Sequence, residues 1–226
     1  MIQWSRDKDK RMIKPQTVAN YYEKLALVFW KAGNKLYHAA ALFRLFQHYR
    51  DMKKSFAIED QAHQATRVLL ATLCIPAGAN SISILARHLD MEETYTENQR
   101  RLAVLLDLSS PPTRHSILND MIRFNVLNLV HPAALALYKL LEQEFSPLRL
   151  AAQTETQLKN VTNLEKAEYI QYVDALRDSA AAKVIVQVSL VYKTITIERL
   201  KAILPSVTTS QLECMLVQMG KRAQLN

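Results

Sequence analysis

Apolar positions recur along this chain at intervals of three and four residues, the spacing that stacks side chains along one side of an α-helix. Pro15 suits a first helical turn. Val18, Tyr21, Tyr22, Leu25, Val28, Phe29 and Ala32 then trace one broad apolar face that closes at Gly33-Asn34. A second helix is predicted over Lys35–Met52, with Leu42, Leu45, Phe46 and Tyr49 as its stripe and Ala39, Ala40 and Ala41 permitting a close neighbour. The short turn between the two predicts antiparallel packing. A third helix, Glu59–Cys74, finishes in VLLATLCI, which is apolar on most sides and is expected to be covered on two. Pro76 and Gly78 stop it.

The pattern continues less regularly. ISILARHL (82–89) reads as a short helix, and Glu93–Asp107 as a longer one with Leu102, Leu105 and Leu106 inward. SSPPT (109–113) stops that helix and starts another carrying Ile117, Met121 and Ile122; Ala133–Phe145 follows, before Pro147. Residues 153–166 are the most polar stretch of the second half and read as a surface connection, and Tyr169, Ile170, Val173 and Leu176 mark one more short helix. Residues 180–197, AAAKVIVQVSLVYKTITI, fit two templates. Ala181, Val184, Ile185, Val188, Val191 and Tyr192 satisfy a helix, while Val184, Val186, Val188, Leu190 and Tyr192 alternate as in a strand. The β-branched content favours strand; Asp178-Ser179 and the alanines favour helix. The residues alone leave the choice open. At the end, Ile197–Leu204 is a short helix stopped by Pro205. A capping box, Thr208 with Gln211 or Ser210 with Glu213, opens a last helix with Leu212, Met215, Leu216 and Met219 inside. The pair makes a helix-turn-helix. No β-hairpin follows before Asn226, so it reads as a winged helix truncated ahead of its wing strands.

Helices joined in pairs by short turns point to an all-α, solenoid-like helical-repeat array. No fixed-period signature of the tetratricopeptide type is present, and a compact helical bundle fits the same pattern. Composition agrees: 3 Gly and 7 Pro among 226 residues are too few for the many turns of an all-β chain. The apolar run Val68–Ile75 is far too short to span a bilayer. Two separated cysteines, Cys74 and Cys214, exclude a disulfide framework and fit a reduced setting, cytoplasmic or nuclear, of which the cytoplasmic one is expected; each reads as a small core residue.

The net charge of +8 sits in one place. Residues 1–54 carry 12 Lys/Arg and 4 Asp/Glu, whereas residues 55–226 carry 17 of each. A local positive field attracts RNA phosphates, acidic proteins or anionic headgroups, and it equally serves as a solvated face. Lys8, Lys10, Arg11, Lys53, Lys54, Arg100 and Arg101 are the candidate phosphate contacts. Catalytic chemistry finds no foothold. The sequence holds no nucleophile elbow, Walker loop, dinucleotide fingerprint or zincin motif. Its six histidines are not at ligand spacing, and Asp60 with His63 reads as a surface hydrogen bond. The expectation is a non-enzyme with no cofactor, no metal and no small-molecule substrate. A DNA-reading role for the last helix is opposed by Glu213 and apolar side chains where base-reading residues belong.

Four segments carry a resemblance: ANYYEKLALVFWKAGNKLYHAAALFRL (19–45), TRVLLATLCIP (66–76), QRRLAVLLDLSSPPTRHSILNDMIRFNVL (99–127) and FSPLRL (145–150). Together they closely resemble the family of the largest subunit, a, of eukaryotic translation initiation factor 3. The resemblance keeps segment order over nearly the whole chain; 153–168 matches poorly. It implies helical repeats over 15–65 after a polar lead-in at 1–14, the helical part of a PCI domain over 66–195, and the helix-turn-helix part of its winged helix over 196–226. It also implies helix for 180–197. The implied role is a scaffold fragment of the initiation factor, pairing chiefly with subunit c and other PCI and MPN subunits and contributing to binding of the small ribosomal subunit. Ile197, Leu200, Leu204, Leu212 and Leu216 are the candidate partner contacts. Two alternatives stand beside it: an RNA- or ribosome-binding basic module touching mRNA or rRNA, and a PCI subunit of the proteasome lid or signalosome. Residues 19–45 speak against the last.

Overall fold

Two helices open the described part of the chain, α1 (Pro15–Lys31) and α2 (Lys35–Asp51). The computed structural model describes residues 14–52, 57–76, 92–143, 147–164 and 166–221. Every regular element among them is helical, and none is a strand. The short helix expected over 82–89 lies outside the described residues. After α2 come α3 (Ile58–Leu73), α4 (Glu92–Leu105), α5 (Arg114–Arg123), a 3₁₀ turn (Val126–Leu129), α6 (Pro132–Glu142), α7 (Pro147–Thr162), α8 (Ala167–Ile170), α9 (Val173–Val191), α10 (Ile197–Ile203) and α11 (Thr209–Lys221). No helix is long and apolar enough to cross a membrane among the described residues. The chain divides into two compact units, residues 1–72 with 93–130 and residues 73–92 with 131–226.

In the first unit α1 and α2 pack antiparallel. His48 Nε2 bonds the Pro15 carbonyl at 2.9 Å, while the buried His38 bonds the Ala26 carbonyl at 2.7 Å through Nδ1. A carbonyl only accepts, so His38 carries its proton on Nδ1. The turn is a Schellman close: Gly33 N–H donates to the Trp30 carbonyl and Asn34 N–H to that of Phe29, with Gly33 at φ +72°. A methyl group at Gly33 would meet no neighbour, so only the backbone geometry demands glycine. Gly33→Ala should therefore lower the stability of this unit by about 1 kcal/mol in chemical denaturation. An unchanged midpoint would mean that the turn is not held in the left-handed region.

Several expectations need correction here. Val28 is exposed, because the face of α1 centres on the buried Ala19, Ala26 and Phe29. Leu105 and Ile122 also face outward, and Ala103, Leu106 and Met121 take the inward positions. α2 is covered on more than one stripe, from Leu36 through Phe43 and again at Leu45 and Phe46, which makes it the central helix of its unit.

In the second unit the polar stretch 153–166 is not a connection. It forms most of α7, whose Leu150, Ala151, Thr154, Leu158 and Val161 are buried at helical spacing. The buried stripe is narrow and the remainder is polar, so mean polarity conceals it. The single short helix expected around 169–176 is two elements, divided by a turn at Gln171-Tyr172. Residues 173–191 form one helix, with Ala180, Ala181, Val184, Ile185 and Val188 buried and Leu190 exposed. Packing on that face overrides the β-branched preference. The helix that the resemblance implies for 180–197 holds as far as Val191, and residues 192–196 are non-helical. α9 ties its unit together. Arg177 donates to Glu155 of α7 at 2.6 Å, Ser179 Oγ to the Leu73 carbonyl at 2.9 Å, and Lys183 Nζ to the Leu141 carbonyl.

Candidate functional site

The first unit concentrates polar side chains on one helix end. α4 finishes in a second Schellman close: Asp107 N–H donates to the Val104 carbonyl and Leu108 N–H to that of Ala103, with Asp107 at φ +54°. Its last carbonyls point at α1 and α2. Tyr21 Oη donates to Leu105 O at 2.9 Å, Arg44 Nε to Leu106 O at 2.9 Å, and Arg44 Nη2 to Asp107 O at 2.6 Å and Asp107 Oδ2 at 3.1 Å. A guanidinium here satisfies acceptors that the helix itself leaves open and opposes the negative end of its dipole. Two turns earlier on α2, the buried Tyr37 donates to Gln99 O at 2.7 Å. Tyr37–Gln99 and Arg44–Leu106 are both separated by 62 residues, so α2 and α4 run parallel. Burial pushes the Tyr37 hydroxyl up to about 12. This cluster holds the end of α4 against α1 and α2.

Arg50 lies over the ring of Phe124, 4.9 Å from its centre, and donates to the Phe124 carbonyl at 3.2 Å; Arg123 approaches the same ring at 6.0 Å. Arg100 and Arg101 are exposed on α4, and Arg101 Nε pairs with Glu97 at 3.2 Å. Lys8, Lys10, Arg11, Lys53 and Lys54 lie outside the described residues. No cluster of metal-ligating side chains occurs among the described residues. Asp60 is exposed and His63 half-buried.

The helix-turn-helix of the second unit forms as α10 and α11. Thr196 caps α10 by accepting from Arg199 N–H at 3.3 Å. Thr208 and Gln211 form a reciprocal capping box, with Thr208 N–H to Gln211 Oε1 at 3.0 Å and Gln211 N–H to Thr208 Oγ1 at 3.3 Å. Leu200, Leu204 and Leu212 are buried together with Val207 and Met219, while Leu216 is half-buried. Of the five candidate contacts, Ile197 offers the most surface, at 46% exposed. Close to it in sequence, Leu190 and Val191 are each 65% exposed and Tyr192 is 48% exposed. Sequence reasoning misses these three because its helix and strand templates place them on an inward face. Cys74 is buried, with Sγ 3.7 Å from the Tyr172 carbonyl, but Cys214 is exposed, because it points away from the face formed by Leu212 and Met219.

Known proteins supply the remaining observation. Residues 4–149 match the family described as eIF3a, PCI domain, TPR-like region. The chain belongs to this eIF3a family. Its eIF3a relative in Brugia malayi, a component of eukaryotic translation initiation factor 3, is 51% identical over 221 residues, covering 98% of this chain and 20% of that protein. The corresponding protein of Caenorhabditis briggsae is 47% identical over 230 residues, at 100% and 21% coverage. The human one is 43% identical over 218 residues, at 96% and 16%. The chain thus spans about a fifth of the length of these eIF3a relatives. The family match takes in α1–α6 and stops within α7, short of the helix-turn-helix, whereas the three pairwise similarities extend over nearly all of the chain.

Proposed function

We propose that the chain is a non-catalytic scaffold segment of translation initiation factor 3, which assembles with other PCI and MPN subunits, chiefly subunit c, through its second unit. The observation that carries this reading is the apolar surface at the join of α9 and α10. Leu190, Val191, Tyr192 and Ile197 stand exposed there, whereas Leu200, Leu204 and Leu212 lock the helix-turn-helix behind them. Clustered aromatic and branched aliphatic surface is the material of protein–protein contacts. The family match supports the choice of complex. Helical repeats over 15–65, a PCI helical part over 66–195 and its helix-turn-helix over 196–226 are the domain boundaries that go with this reading, and the cytoplasm is its setting.

The test is co-elution with the PCI region of subunit c at low and high salt. The native chain should bind at both, because apolar contact is weakly screened. The double variant Val191→Asp/Ile197→Asp, altered only at exposed positions, should weaken binding at least tenfold while leaving the circular dichroism unchanged. Binding that survives this variant would remove the α9–α10 join from the interface.

A second reading rests on charge. The excess of +8 within residues 1–54 supports contact with the small ribosomal subunit, through rRNA or mRNA. RNA retained at low salt and lost steeply as salt rises, with no co-elution with subunit c, would favour it. The family match sets aside the proteasome-lid and signalosome alternative.

A further inference from the structure

The sequence SSPPT, which punctuates two helices, has a second property in the folded chain. Leu108–Thr113 lies between two firmly closed helix ends. Upstream is the Schellman close of α4; downstream Thr113 and Ser116 cap α5 reciprocally, Ser116 N–H to Thr113 Oγ1 at 3.0 Å and Thr113 N–H to Ser116 Oγ at 2.9 Å. Between these anchors Ser109 and Ser110 are exposed, outside any helix, and neither side chain bonds another described residue. Pro111 follows Ser110 directly, and Pro112 is buried. The residue before a proline is kept out of helical geometry, and Ser109 and Ser110 form a bend at the surface, open to a kinase. The segment also forms one wall of an open groove of about 400 Å³, whose other wall includes Phe43, Arg44 and Gln47 of α2.

We propose that Ser110 is a phosphorylation site for a proline-directed serine/threonine kinase, and that the added phosphate docks on Arg44 across the groove. The kinase removes the proton from Ser110 Oγ. Oγ bonds the γ-phosphorus of ATP, the bond from that phosphorus to the bridging oxygen breaks, and ADP leaves. Pro111 supplies the specificity, because it presents no N–H immediately after the acceptor. The product carries nearly two negative charges in the groove that Arg44 also lines, a guanidinium whose present partners are two carbonyls, the Gln47 side-chain oxygen at 3.4 Å and one exposed carboxylate. Phosphate is the stronger acceptor for that fork. Asp120 shares the groove and opposes the docking, which limits its strength. This inference is independent of the scaffold reading, since every residue in it belongs to the first unit.

The experiment treats the whole chain with ATP and a purified proline-directed kinase, beside a synthetic peptide of residues 104–117. Mass spectrometry of the proteolytic fragment that holds residues 104–117 should find one phosphoryl group, mapped to Ser110, and none there in Ser110→Ala, apart from any group added at Ser146, which also precedes a proline; Pro111→Ala should cut the rate at Ser110 at least tenfold, and Ser109→Ala should leave it unchanged. Phosphorylation of the peptide but not of Ser110 in the folded chain, or equal incorporation into the 104–117 fragment of Ser110→Ala, would overturn the site. Phosphorus NMR of the modified chain tests the docking. The second phosphate ionisation should fall below that of the phosphopeptide, and an identical titration in the two would overturn the contact with Arg44.

Discussion

Replacing Tyr37 by alanine should cost about 4 kcal/mol of the first unit's stability. Three losses combine. The side chain is completely buried on the central helix, so its removal leaves a cavity in a close-packed interior. Its ring packs against Phe29 of α1 at 5.5 Å, so the α1–α2 pair loses an aromatic contact. Its hydroxyl is one of the two rungs that align α2 with α4. Tyr37→Phe separates the contributions and should cost only about 1 kcal/mol, because the Gln99 carbonyl keeps its place in the α4 ladder. Urea denaturation followed by circular dichroism measures both. Near-equal losses for the two variants would place the energy in the hydroxyl and contradict the packing argument.

Acidification should produce the second large effect. His38 is 2% exposed, and burial, opposed by its bond to the Ala26 carbonyl and reinforced by the positive charge of Arg67, lowers its pKa to about 4 from the ordinary 6.5. Its folded-state pKa lies below the unfolded one, so between these values the unfolded chain binds more protons. Stability then rises with pH through that window. The contribution is complete above pH 6.5 and is lost progressively down to about pH 4. The total is roughly 3 kcal/mol at 1.36 kcal/mol per unit. His38→Gln keeps a donor for Ala26 and removes the titration. The difference between native and variant denaturation profiles, taken from pH 7 to pH 4, should therefore show this loss. Parallel profiles would mean that His38 is not held neutral.

Much of the fold was legible because long amphipathic helices advertise themselves by spacing. α1, α3 and α11 lie close to where periodicity put them, and the Thr208–Gln211 box was visible as a four-residue pattern. What stayed hidden depends on distance along the chain. Nothing local to Arg44 says that it closes a helix 62 residues away, and nothing local to Leu36–Phe43 says that neighbours cover it on several sides. Residues 180–191 carry two periodicities at once, and only the elements packed around them choose helix. The candidate contacts suffered likewise. Leu200, Leu204 and Leu212 stand out in the sequence for being apolar, which is also why they are buried, while the exposure of Leu190 to Tyr192 follows from the end of the helix at Val191.

The interleaving of the two units bears on how such a chain leaves a ribosome. Residues 1–72 emerge before residues 93–130, which their unit also requires. Until those arrive, Tyr37 and Arg44 have no α4 carbonyls to meet, and α2 is covered by α1 but not by α4. Vectorial synthesis at about 5–20 residues per second leaves that side of α2 open for seconds. Folding of the first unit therefore waits on the synthesis of a segment that follows a stretch of the second.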